Sequence, residues 1–412
     1  MKYTLKFFTL IGCIGLMSVS CSNDDDAMPV DPNPGVSFEI PQQYTFVRNG
    51  ESTVDFNGQT TRILMAEEIL DVFDDRQTTE EKLIAMFSNE NSPFTNEDLN
   101  QATSKVLRSK VAASRDYFFE NTVVSGQIKS EFDEYLASQA NTVLTKEQEA
   151  APGQAGEILD GQSTRLVNAR GLEYKQLFNK GLIGALMLDQ AINHYLSTDI
   201  LDEASNREEN TAATVAEGKV YTTMEHKWDE AYGYVYGTAT SASDPNATIG
   251  ADDSFLNKYI GRVEDDPSYS GIAKTIFEAF KTGRAAIVAQ EYDVRDAQAD
   301  ILKKELSRII AIRAVYYLQQ GKSSVGDMAK AGTLFHDLSE GYGFIYSLQF
   351  TQNPDTGKPY VSRDEVVSYL TDLTDDGVNG LWDVEVATLD ALSEKIATAF
   401  SISIEEAADA SK

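Results

Sequence analysis

The chain has 412 residues, is 42% hydrophobic, and carries a formal charge of −30 from 65 acidic and 35 basic side chains. That length and apolar content suffice for two domains of ordinary size. The charge argues against a nucleic-acid partner and against a body lying flat on an anionic bilayer, because phosphate repulsion would have to be overcome; it suits a soluble body or a binder of cations.

The N-terminus carries a targeting pattern. Lys2 and Lys6 form a short positive region, and Phe7 to Val19 an apolar stretch too short to span a bilayer comfortably. Leu16-Met-Ser-Val-Ser-Cys21 then places small residues before a cysteine. This resembles a bacterial lipoprotein signal, which implies removal of residues 1–20 and a lipid, such as palmitate, on Cys21. An ordinary cleaved secretory signal is the alternative. Ser22-Asn-Asp-Asp-Asp26 resembles the surface-export tag of some Gram-negative lipoproteins. The expected location is the outer membrane, anchored by the lipid and facing the exterior. Cys13 would leave with the signal, so the mature body has no disulfide and no thiolate ligand. Any metal site must then use His, carboxylate and carbonyl groups.

Residues 21–35, rich in Asp, Asn and Pro, read as a tether. Residues 36–57 alternate apolar and polar side chains around Asn49-Gly50, which predicts a short hairpin or two edge strands. From Gln59 the apolar period is helical. Helices are expected near 59–73, after Thr78-Thr-Glu-Glu81, over Asn96 to Glu120, over Ser130 to Thr142, and through the apolar Thr164 to Leu196. Residues 150–163 read as a loop. Ser, Asp, Pro and Gly over 238–270 predict a domain boundary. Helices resume over Ile272 to Ala289, Arg295 to Gln320, and about Gly326 to Gln349. Two more follow, after the capping box Ser362-Arg-Asp-Glu365 and over Val384 to Ser401. The expected fold is all-α: one helical bundle over 58–245 and a related bundle over 246–412.

The relation rests on a repeat. MEHKWDEAYGYVYG, from Met224 to Gly237, is echoed by LFHDLSEGYGFIYS, from Leu334 to Ser347. Both read His-x-x-x-Glu-x-Tyr-Gly-aromatic-β-branched-Tyr, and they use two of the three histidines. On a helix, residues spaced 0, 4, 7 and 11 share a stripe. The stripes are His226, Glu230, Gly233, Gly237 and His336, Glu340, Gly343, Ser347. Each has an imidazole and a carboxylate at one end and small residues at the other, where a second helix can approach closely. If the two helices face each other, His226, Glu230, His336 and Glu340 could hold a divalent metal, iron or zinc. The plainer reading is that each His orders its own i+4 Glu. His194, on the apolar helix, reads as a satisfied core residue.

Asp372-Leu-Thr-Asp-Asp-Gly377-Val-Asn-Gly-Leu-Trp-Asp383 resembles part of a calcium loop, with Asp372, Thr374, Asp376 and Asp383 at ligand positions of the frame. An acidic turn between helices is the competing reading. The sequence has no H-E-x-x-H helix and no phosphate-binding G-x-x-x-x-G-K.

Gln43-Tyr-Thr-Phe46, Ser52-Thr-Val-Asp-Phe56-Asn-Gly-Gln-Thr-Thr-Arg62 and Glu225-His-Lys-Trp-Asp-Glu230-Ala-Tyr-Gly233 look like an uncharacterised lipoprotein family with a helical body. More distantly, the duplicated layout with a central His and a nearby acid is similar to the imelysin family of exported, often iron-regulated proteins. Their Gly-x-His-x-x-Glu motif is altered here: Met224 replaces the Gly, and Asp229 and Ser339 occupy the acid position. The resemblance implies a binding component in metal or haem uptake. A metallopeptidase using Asp229 or a Glu as general base is the alternative, and a structural or partner-binding surface protein is the third reading.

Overall fold

The computed structural model describes residues 37–409, which belong to one compact unit. The expected signal and tether, with Cys21, lie outside the described residues. The fold is all-α with two small two-stranded sheets. The expected hairpin is present: β1 (Val47–Arg48) pairs antiparallel with β2 (Glu51–Ser52). Asn49 and Gly50 turn between them at φ 55° and 86°, the left-handed region that an Asn-Gly turn supplies.

α1 (Asn57–Val72) and α2 (Glu80–Ser88) follow, the latter capped by the Thr79 side chain on the Lys82 N–H. The long helix expected over 96–120 is instead three short pieces, α3 (Glu97–Gln101), α4 (Leu107–Lys110) and α5 (Arg115–Phe118). Tertiary contacts break it. Ala112 sits at φ 45° with its N–H on the Ala185 carbonyl, and Asp189 accepts from the N–H groups of Ala113 and Ser114. α6 (Thr122–Ser138) comes next.

Residues expected as loop and helix start form a second hairpin, β3 (Gly156–Asp160) with β4 (Ser163–Val167). The apolar segment therefore begins its helix later, with α7 (Tyr174–Leu182). It then continues as wide π-helical turns over Ile183–Leu188 and Ala191–Tyr195. After α8 (Thr198–Leu201) and α9 (Asn206–Thr211) comes α10 (Thr223–Tyr236), which carries the first repeat. A capping box of Thr222 and Glu225 starts α10.

The second half holds α11 (Leu256–Glu264), α12 (Ile272–Ala289), α13 (Tyr292–Lys322) and α14 (Ala331–Ser347), which carries the second repeat. It ends with α15 (Arg363–Thr374), α16 (Val386–Phe400) and α17 (Ile404–Asp409). The residues on either side of 245 share one continuous hydrophobic core. α10 packs on α12, and α14 packs on both α13 and α7. Among the described residues no helix is long and apolar enough to cross a membrane.

Candidate functional site: one helix joint built twice

The two repeats do the same local work in different places. α10 lies along α1, and the small residues of its stripe set the approach. A Cβ on Gly233 would stand 2.4 Å from Phe56 Cβ, so only glycine fits. Thr60 donates to the Gly237 carbonyl at 2.6 Å. At the other end of the stripe Glu230 takes the Gln59 amide at 3.1 Å and Lys227 Nζ at 3.3 Å, with His226 Nε2 3.9 Å away. The His226 ring stacks on Tyr221 with centroids 4.6 Å apart. Burial holds its imidazole below the usual value despite the neighbouring acids.

α14 lies along α7 in the same manner. A Cβ on Gly343 would stand 2.4 Å from Lys180 Cβ, and Ser347 donates to the Lys180 carbonyl at 2.7 Å. Glu340 is held by Lys180 Nζ at 3.1 Å. His336 Nε2 is 3.9 Å from Glu340, and its Nδ1 hydrogen-bonds Glu173 at 3.1 Å. Burial alone would lower the His336 imidazole, but the Glu173 hydrogen bond and charge outweigh it and raise the value. Burial would raise Glu340, but the Lys180 and His336 charges bring it down to about 2.

The structure thus keeps each His with its own i+4 Glu and does not bring His226, Glu230, His336 and Glu340 together. No hydrogen bond or ion pair joins the two sets among the described residues. Nor are any three His, Cys, Asp or Glu side chains there grouped to hold a metal ion. Each stripe faces the helix that follows an acidic residue, Asp55 before α1 and Glu173 before α7, rather than facing the other stripe.

The residues of the calcium-loop pattern also point apart. Asp372 pairs with Lys395 at 3.0 Å, and Asp376 caps α16 through the Glu385 N–H and the Thr388 hydroxyl. Asp383 binds Asn379, and the Thr374 hydroxyl donates to the Leu370 carbonyl. Their hydrogen bonds are those of a helix-to-helix connection.

A buried ion network, not anticipated from the sequence, ties the N-terminal hairpin to the first joint. Arg284 of α12, fully buried, donates to Asp229 at 3.0 Å, Glu225 at 3.2 Å and Thr53 at 3.0 Å. Arg48 grips Glu225 with two bonds of 2.8 and 2.9 Å, and the Tyr44 hydroxyl donates to Asp229 at 2.7 Å. Burial lifts the Asp229 carboxyl to about 6 even with Arg284 opposing the shift. Asp229, the base that a hydrolytic reading would use, is therefore enclosed and engaged. A cue was present: Arg284 interrupts an apolar helix, and a cation there needs a buried acid.

The same hairpin seals the first joint. Tyr44 stacks on Tyr232 with centroids 3.8 Å apart, and Phe56 and Phe280 close around that ring. Tyr232 is fully buried, its hydroxyl on the Ala242 carbonyl. The matching tyrosine of the second repeat, Tyr342, has no such cover. It is only partly buried and lines a cleft of about 400 Å³ between α6, α14 and α15. Tyr135, Tyr346, Val366 and Leu370 form the walls. At one end of α15 Arg363 binds Glu131 at 2.6 Å and Gln349 at 2.8 Å. At the other end Arg170 binds the Thr374 carbonyl and Asp375. The Tyr346 hydroxyl donates to Glu131 at 2.6 Å. The cleft has aromatic walls and charge-paired ends, an arrangement that orients a polar ligand with an apolar face.

No curated protein and no solved structure matches the chain. A family model does, over residues 41–403, a span that takes in the hairpin, both joints and the cleft. The chain therefore belongs to the family described as a domain of unknown function, DUF4856.

Proposed function

We propose that the protein is a lipid-anchored binding component of the outer-membrane surface. Its ligand is a small polar molecule held in the tyrosine cleft. The observation that carries this reading is the inequality of the two joints: Tyr44 closes over Tyr232, while Tyr342 is only partly buried and lines a cleft with paired charges at its ends. The cleft admits a molecule of about monosaccharide to dipeptide size. The test is a thermal-shift screen of the mature protein against sugars, amino acids and dipeptides, run beside Tyr342→Ala. A ligand of the cleft raises the wild-type midpoint by a few degrees at saturating concentration and leaves the variant unmoved. No shift across the panel, or equal shifts in both proteins, contradicts the reading.

A second reading makes the ligand a metal or haem and the role its uptake. The observation on its side is that His336 stands between Glu173 and Glu340, although the three do not converge on a common point. Lys180 would have to leave Glu340 for that carboxylate to bind a cation. Titration with zinc or ferrous iron tests it: saturable binding lost in His336→Ala supports uptake, and binding unchanged by that substitution removes the site.

A further inference from the structure

A second surface, beside the first joint, collects cations in an otherwise acidic protein. Arg62 of α1 is 6% exposed and donates to the Gly58 carbonyl at 3.1 Å. A Cβ on Gly58 would stand 3.1 Å from Lys105 Nζ and 3.5 Å from the Arg62 guanidinium, so both cations converge over the same backbone. Lys110 of α4 lies within electrostatic reach of Arg62, Lys105 and Lys227, and of the Glu230 carboxylate. Lys227 Nζ lies 5.5 Å from the Tyr195 ring centroid, and the His194 ring packs edge-on against Tyr195. Among the described residues Arg62, Lys105 and Lys110 form no ion pair, although acids outnumber bases 65 to 35 in the chain.

Polar atoms around this cluster also lack partners. Arg62 Nε is buried without a hydrogen bond, and the Tyr234 hydroxyl lies beside the Arg62 guanidinium. His194 Nδ1 is unpaired, and so are both amide atoms of Gln190, one helical turn earlier and fully buried. Arg62, Lys105 and Lys110, which form no ion pair among the described residues, converge with Lys227 over a buried and unpartnered Arg62 Nε, an arrangement that an oxyanion would complete. It would supply the missing charge and the missing acceptors together. We propose that Arg62, Lys105, Lys110 and Lys227, with His194 beside them, bind a phosphate-type oxyanion. The group can arrive as free phosphate or as the headgroup of an anionic lipid. This site is separate from the tyrosine cleft and does not depend on it.

Titration calorimetry with inorganic phosphate at low ionic strength tests the proposal. Lys110→Gln is the variant of choice, because Lys110 is half-buried and holds no structural ion pair, and Lys146→Gln serves as the exposed control. The expected result is saturable binding by wild type, weakened at least about tenfold in Lys110→Gln and unchanged in Lys146→Gln and Tyr342→Ala. No saturable binding at millimolar phosphate, or equal binding by wild type and Lys110→Gln, overturns it, provided circular dichroism shows the variant folded. Sedimentation with phosphatidylcholine vesicles, with and without phosphatidic acid, separates the sources. Phosphatidic-acid-dependent sedimentation lost in Lys110→Gln identifies a headgroup, whereas phosphate binding without sedimentation identifies a soluble anion.

Discussion

Trp228 explains the glycine at position 283. A Cβ there would stand 2.1 Å from the indole ring, whose N–H is fixed on the Phe280 carbonyl at 2.8 Å. In an exposed helix Gly→Ala stabilises by about 1 kcal/mol, but overpacking a closed core costs about 1–3 kcal/mol. Gly283→Ala is therefore expected to destabilise, and urea denaturation gives the sign directly. Losing Arg284 should cost more. Arg284→Met leaves Glu225 and Asp229 buried without that counterion, and the expected loss is roughly 3–5 kcal/mol, read from the same denaturation curves. A loss below about 1 kcal/mol would show that the network is not closed.

The two joints respond to pH in opposite senses. His336 has a raised value when folded, so its contribution to stability is complete below the unfolded value of about 6.5 and is lost as pH rises through the folded value. His226 has a lowered value when folded; its contribution holds above the unfolded value and is lost on acidification. The stability difference between wild type and His336→Gln should thus shrink from pH 6 to pH 8, and that of His226→Gln should shrink from pH 7 to pH 5. Glu340, brought down to about 2, contributes above 4.5 and loses that contribution as pH falls toward 2.

The stripes themselves were legible in the sequence, because the spacing of His, Glu and small residues fixes one helix face. Their partners were not. Whether Gly233 and Gly343 meet each other or meet α1 and α7 depends on contacts across more than a hundred residues. The same limit hid the break at Ala112, which Asp189 and Ala185 impose from a distance. It also hid the wide turns of 183–195, since π-helical and α-helical runs share one apolar composition.

The shared core carries a consequence for folding. α14 needs α7, and α12 needs both α10 and the N-terminal segment that brings Thr53 to its buried arginine and Tyr44 to the Asp229 paired with it. Fragments 37–245 and 246–409, expressed apart, are expected to lack cooperative thermal transitions, which circular dichroism measures; two independent sharp transitions would contradict the shared core. The hairpin also makes the two joints unequal, closing over Tyr232 and leaving Tyr342 only partly buried at the cleft. Tyrosine nitration mapped by mass spectrometry tests that inequality most directly. Tyr342 should be modified while Tyr232 is spared, and a cleft ligand should protect Tyr342. Equal reactivity of the two rings, or a bound ligand that leaves Tyr342 unprotected, would contradict it.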